Sequence, residues 1–210
     1  MYPVNLKMTG VPCLIIGGGH IGERKIRKLL SEKAAVTVLA PEVSEEIGQM
    51  IREGKVHWEK RNYEAGDCLD FRFVVTATGV RQIAEAVRQE AAERGFLYNA
   101  ADFPELGNCF LPAGFRKGNI EVAVSTGGKS PAVARFLKTR LAEAIPDALS
   151  DWLDRVTRIR AELKRDIADS HIRENFWETV FDEKVLSLVY AGKLDEAEEY
   201  IRHAVGSLRS

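Results

Sequence analysis

Gly17, Gly19 and Gly22 fall into the spacing G-x-G-x-x-G, directly behind the apolar run Val11 to Ile16 and ahead of a helical pattern. No other feature narrows the fold as much. The run is short and unbroken, as suits a strand buried on both faces of a parallel sheet. Ile21, Ile26, Leu29 and Leu30, with charges between them, then follow helical spacing. In this strand–turn–helix setting the first glycine makes the tight turn and the second lets backbone approach a pyrophosphate. The third lets helix and strand pack closely. The helix N-terminus adds free N–H donors and the positive end of its dipole.

The alternation continues down the chain. Strands are expected over 35–39, 55–58, 71–76 and 96–98, and helices over 45–52 and 83–94. Such alternation means βαβ units and a parallel sheet with right-handed crossovers. After Pro104 the texture changes: 109–112 and 120–125 are expected as strands, joined by a turn at Arg116, Lys117, Gly118 and Asn119. Ser130 as N-cap and Pro131 at the first helical position open a helix to about Ala144. From Asp147 onward the pattern is amphipathic helix, with Trp152, Leu153, Val156, Ile159 and Leu163 at helical intervals. The expected class is α/β: a Rossmann parallel sheet over 1–103, a small α/β segment over 104–146 and a helical tail over 147–210.

Cofactor choice is read at the end of the second strand. Glu42 lies 20 residues after Gly22, where an acid can hold adenosine ribose hydroxyls; it equally suits the exposed first turn of a helix. No Lys or Arg stands between Val36 and Met50 to neutralise a 2′-phosphate, which favours NAD over NADP. Asp102 follows the fifth strand, whose C-terminal end faces the ligand in open α/β sheets. A carboxylate there serves as general base or substrate positioner, or simply caps the turn before Pro104. Ser125, Thr126, Gly127, Gly128, Lys129 and Ser130 form a donor-rich loop entering a helix. It reads as a cradle for carboxylates or phosphates, or as an ordinary strand-to-helix connection. A P-loop is excluded, because position 123 is Ala123 rather than glycine.

Composition sets limits on partners. Lys and Arg total 30 against 31 Asp and Glu in 210 residues, so no global field draws nucleic acid. No apolar run approaches the ~18 residues of a membrane span, and the N-terminus shows no secretory signal. The expectation is a cytoplasmic protein. Cys13, Cys68 and Cys109 are scattered and odd in number, and His20, His57, His171 and His203 show no ligand spacing, so no metal site is expected. His20, inside the glycine loop, is placed beside the cofactor.

Three strings together resemble the siroheme synthase N-terminal family: Gly17-Gly18-Gly19-His20-Ile21-Gly22-Glu23-Arg24-Lys25, then Asn99-x-x-Asp102 before Pro104, then Val124 through Pro131. Their order and spacing agree over about residues 1–145, and the tail agrees in character. The resemblance implies an NAD-dependent oxidation of precorrin-2 to sirohydrochlorin, with Asp102 as the key carboxylate. A form that also inserts ferrous iron, and a non-catalytic NAD-sensing module, are the alternatives. It further implies a homodimer to which the middle segment contributes, and, since the family's methyltransferase domain has no counterpart here, precorrin-2 made by another protein. The implied cofactor contacts are Gly17, Gly19, His20, Ile21, Gly22, Pro41, Glu42 and Thr78. Substrate contacts are expected at Asn99, Ser125, Thr126, Gly127, Lys129 and Ser130, with Arg116, Lys117 and Arg135 nearby to grip carboxylates.

Overall fold

A computed structural model describes residues 1–209, and the chain divides into two units, 1–111 and 112–210. The first unit is built on alternation. Along β1 (Pro12–Ile16), Cys13 and Ile15 point to one face while Leu14 and Ile16 point to the other, and all four are buried. Such a strand must be covered on both sides. The chain supplies α1 (His20–Ser31), β2 (Ala35–Leu39), α2 (Glu45–Arg52), β3 (Val56–Glu59), β4 (Phe73–Thr76), α3 (Arg81–Arg94) and β5 (Leu97–Ala100). The strands are all parallel in the order β3-β2-β1-β4-β5.

One core joins Cys13, Ile15, Val36, Val38 and Val75 to Ile26 and Leu29 of α1 and Ile47 and Met50 of α2. The other joins Leu14, Ile16, Val74 and Tyr98 to Ala84, Val87 and Ala91 of α3. Cys13 belongs to the first as a small hydrophobe, and burial pushes its thiol up to about 11. No helix connects β3 to β4. Residues 60–72 cross as a loop, which covers the second core with Tyr63, Cys68 and Phe71. Ion pairs of Arg61 with Glu59 and Asp67 hold this loop, as does Glu90 of α3, which accepts from the Tyr63 hydroxyl and from Gly66 N.

The exposed edge of β5 is closed by side chains. The Asn108 amide accepts from Tyr98 N at 2.8 Å and donates to the Phe96 carbonyl at 3.0 Å, standing in for a neighbouring strand. Residues 109–112 were expected as a strand of a hairpin, and the structure corrects this. Cys109 bonds to β5 instead, its N–H donating to Tyr98 O and its carbonyl accepting from Asn99 Nδ2.

In the second unit the hairpin is β6 (Ala113–Lys117) with β7 (Ile120–Val124), antiparallel and joined at Gly118 and Asn119. A turn this tight requires strands that flank it immediately. α4 (Pro131–Ala144) packs on the hairpin, and α5 (Ala148–Asp166), α6 (Ser170–Val180), α7 (Glu183–Tyr190) and α8 (Leu194–Arg209) follow. Trp152, Val156, Ile159, Leu163, Phe176, Val185, Val189 and Ile201 form the helices' shared core. Among the described residues no helix is long and apolar enough to cross a membrane.

Because Asn108 satisfies Tyr98 N of β5 and the Phe96 carbonyl just before it, Asn108→Ala is expected to lower stability by about 1–2 kcal/mol. A shifted urea midpoint at unchanged slope reads this, and an unchanged midpoint refutes it.

Candidate functional site

Four loops meet at the C-terminal edge of the parallel sheet, and most of the expected site residues of the first unit lie on them. The register brings their starting points level: Ile16 pairs with Leu39 and with Thr76, and Thr76 with Ala100. Gly17 through Gly22 connect β1 to α1, and Pro41 and Glu42 lie between β2 and α2. Thr78 lies between β4 and α3, and Asp102 follows β5.

The glycine loop is packed backbone against backbone. Gly17, at φ +121°, lies where a Cβ would come within 2.8 Å of the Ala77 carbonyl carbon. A Cβ on Gly18 would strike the Glu42 carbonyl and stand 2.9 Å from Val43 Cα, and one on Gly22 would lie 2.6 Å from Gly17 O. Gly19 differs: its φ of −89° suits any residue, and a Cβ there would meet nothing within 4 Å. Gly19 is also the N-cap of α1, with no side-chain cap on the first turn. Open space in front of uncapped helix N–H groups is what a dinucleotide pyrophosphate requires, so these residues fit such a group. Ile21 and His20 are both exposed on this turn, and His20 Nδ1 lies 3.5 Å from Glu23 Oε2.

On the other side of the site, Asp102 Oδ2 accepts from Gly79 N at 2.8 Å, so the acid after β5 is tied to the loop after β4. Thr78 Oγ1 accepts from Val80 N at 3.1 Å, which leaves its hydroxyl proton to donate outward. Beneath the loop Tyr98 Oη donates to Ala84 O and meets Thr76 Oγ1 at 2.8 Å, and burial raises the phenol's pKa. Asn99 is buried, with Nδ2 held on the Cys109 carbonyl at 2.8 Å and no hydrogen-bond partner for Oδ1 among the described residues. The bond to Cys109 fixes which end of the amide is the acceptor.

Ser125, Thr126, Gly127, Lys129 and Ser130 lie in the second unit, between β7 and α4. This loop is self-braced. Thr126 Oγ1 donates to Ser130 O and accepts from Ser130 N, Ser125 Oγ accepts from Gly127 N, and Ser130 Oγ caps α4 at Val133 N. Lys129 is exposed. Among the described residues no three His, Cys, Asp or Glu side chains cluster as metal ligands. The sequence reading missed Gly18, whose close packing follows from the Gly17-Gly18-Gly19 run. It also missed Gly79, whose role depends on a partner 23 residues away.

Comparison with known proteins matches residues 4–113 to a family of NAD(P)-binding domains and residues 148–205 to the sirohaem synthase dimerisation region. The chain is similar to the siroheme synthase of Methylococcus capsulatus, 33% identical over 96% of this chain and 43% of that one. It is equally similar to that of Pseudomonas entomophila, 33% identical over 97% of this chain and 44% of that one. It therefore spans less than half the length of these curated relatives. Among solved structures, that titled SirC, precorrin-2 dehydrogenase, matches with a TM-score of 0.78 at 29% identity, covering 97% of this chain and 100% of that one.

The four glycines should separate experimentally. Gly18→Ala is expected to fold poorly, because backbone blocks its methyl group. Gly19→Ala is expected to melt like the parent yet bind NAD about tenfold or more weakly, its methyl occupying the space of the ligand. Calorimetric titration beside thermal melts decides this, and unimpaired NAD binding by Gly19→Ala would refute the placement.

Proposed function

Since the chain belongs to the siroheme synthase N-terminal family, an NAD(P)-binding domain followed by a dimerisation region, we propose that it is an NAD-dependent precorrin-2 dehydrogenase. The observation that carries this reading is the end-to-end match to SirC, precorrin-2 dehydrogenase, which spans all of that chain and nearly all of this one. The reaction removes two hydrogens from precorrin-2 to give sirohydrochlorin, one as hydride and one as a proton. Bound NAD supplies the hydride acceptor. The glycine loop holds its phosphates on the N–H groups of α1, with His20 and Ile21 alongside, and Thr78 flanks it from the loop after β4. Pro41 and Glu42 stand at the ribose end. The carboxylate of Glu42, and the lack of a Lys or Arg from Val36 to Met50, support NAD over NADP.

Asp102 is the residue for the proton. Gly79 N engages Oδ2 and so fixes the carboxylate's direction, while Oδ1 is left to accept a proton or orient the substrate carbon that loses one. Precorrin-2 is rimmed by carboxylates. Lys129 and the hydroxyl protons of Ser125 and Ser130, with the Gly127 turn between them, supply the charge-assisted donors that such a rim demands. The working unit is a homodimer. Besides the matched dimerisation region, α4 presents Val133, Phe136, Leu137 and Leu141 at 48%, 63%, 41% and 41% exposure, an apolar stripe suited to a second copy.

Anaerobic mixing with precorrin-2 and NAD is expected to give NADH and sirohydrochlorin in equal amounts. Asp102→Ala should cut the rate by about 100-fold or more, the usual weight of a general acid–base group, with NAD affinity kept. Measurable NAD binding without NADH formation by the parent protein would overturn the enzyme and favour a sensing role.

A further inference from the structure

Glu23 lies one residue past the glycine motif, in the first turn of α1, where an acid faces a conflict. The same helix end is read above as the seat of an anionic pyrophosphate, and a bare carboxylate there would repel it. The structure shows the charge answered and put to use. Glu23 is only 14% exposed, and its Oε1 accepts from Arg27 Nε at 3.1 Å and Nη2 at 2.9 Å, one turn along the helix. Its Oε2 lies 3.5 Å from His20 Nδ1 and accepts from Ser44 Oγ at 3.3 Å. Arg27 first, then His20 and Ser44, hold the acid below the ordinary glutamate range, against its partial burial. It is thus an anion fixed inside the protein.

Its reach across to Ser44 is the informative contact. Ser44 ends the 41–44 segment and caps α2, its Oγ accepting from Ile47 N. The segment is pressed on the glycine loop by backbone alone at two points: Ser44 N donates to Gly18 O at 2.8 Å, and the Glu42 carbonyl fills the place of a Gly18 side chain. Glu23 adds a third tie, from the side chain of α1. Pro41 and Glu42, which the proposed function places at the adenosine ribose, ride on this segment.

We propose that Glu23 is a positioning residue of the cofactor site, clamping the 41–44 segment through Ser44 so that the adenosine half finds its wall already in place. Arg27 and His20 serve this clamp by neutralising the acid beside the pyrophosphate. The inference rests on the cofactor reading above and adds to it a residue that touches no part of the cofactor.

The test is calorimetric titration with ADP-ribose, the adenosine-bearing fragment, beside thermal unfolding of each variant. Glu23→Ala is expected to bind ADP-ribose about tenfold more weakly, the weight of one charge-assisted hydrogen bond, without a matching fall in unfolding temperature. Glu23→Gln, whose amide oxygen still accepts from Ser44, should recover part of the loss, and it carries the test should the alanine variant not fold. Once Ser44 is replaced by Ala, Glu23→Ala should have no further effect. Full ADP-ribose affinity in Glu23→Ala, or losses that simply add in the double variant, would overturn the clamp while leaving the cofactor site standing. Absence of ADP-ribose binding by the unaltered protein would instead remove the cofactor reading, and the clamp with it.

Discussion

The first unit depends on a backbone-to-backbone contact that only side-chain-free residues permit. Between β1 and α1 the chain passes between the Ala77 carbonyl on one side and the Glu42 carbonyl on the other, with Gly17 and Gly18 at the points of contact. The parallel register delivers three strand ends at one level, and this squeeze then fixes the loops leaving them relative to one another. The ladder is continued past the strands by Gly17 N on Leu39 O and Ala77 N on Ile16 O. The site is therefore framed largely by main chain, whose geometry is stiffer than any side-chain rotamer. What the frame leaves empty, in front of Gly19, is the part available to a ligand.

How well the sequence shows a feature follows from how local its cause is. β1, β2 and β4 are readable because burial on both faces leaves an unbroken apolar string, and a glycine spacing behind such a string has few other meanings. α4 is readable from Ser130 and Pro131, because capping is settled within four residues. Residues 109–112 misled because Cys109, Phe110 and Leu111 look like a strand, whereas the partners of Cys109, Tyr98 and Asn99, lie ten or so residues back and bond partly through a side-chain amide. The strand that does form, Ala113 to Lys117, holds a glycine and two cations and is nowhere fully buried, so composition gives it little weight. Glu23 stood in the quoted motif, but its partner Ser44 is 21 residues on, and no periodicity reports such a pair.

The second unit carries a different balance of forces. In α4 Ala134 is the one buried residue, while the helix displays a row of large apolar side chains. By contrast α5 through α8 enclose a core of their own and tie α5 to α8 with Arg155 on Asp195 and Glu198, and Arg202 on Glu162. Such an exposed apolar row is what the homodimer proposed above would cover, an argument for it apart from family likeness.

Asp102 shows how the two halves of the proposed reaction are linked. The β-ladder runs one residue beyond β5, with Ala101 N on Thr76 O, and Asp102 is the first residue free of it. Its carboxylate does not project freely but turns back to Gly79 N, on the loop that also carries Thr78. That loop descends from β4, whose last residue meets the Tyr98 hydroxyl, and enters α3, which the same hydroxyl grips at Ala84. The acid's direction is thus set by the loop after β4, which the proposed function puts beside the cofactor, and not by its own strand alone. On the proposed reading, a shift of the loop after β4 would move Thr78 and the Asp102 carboxylate together and keep them in register for a transfer in which hydride and proton must leave the same substrate.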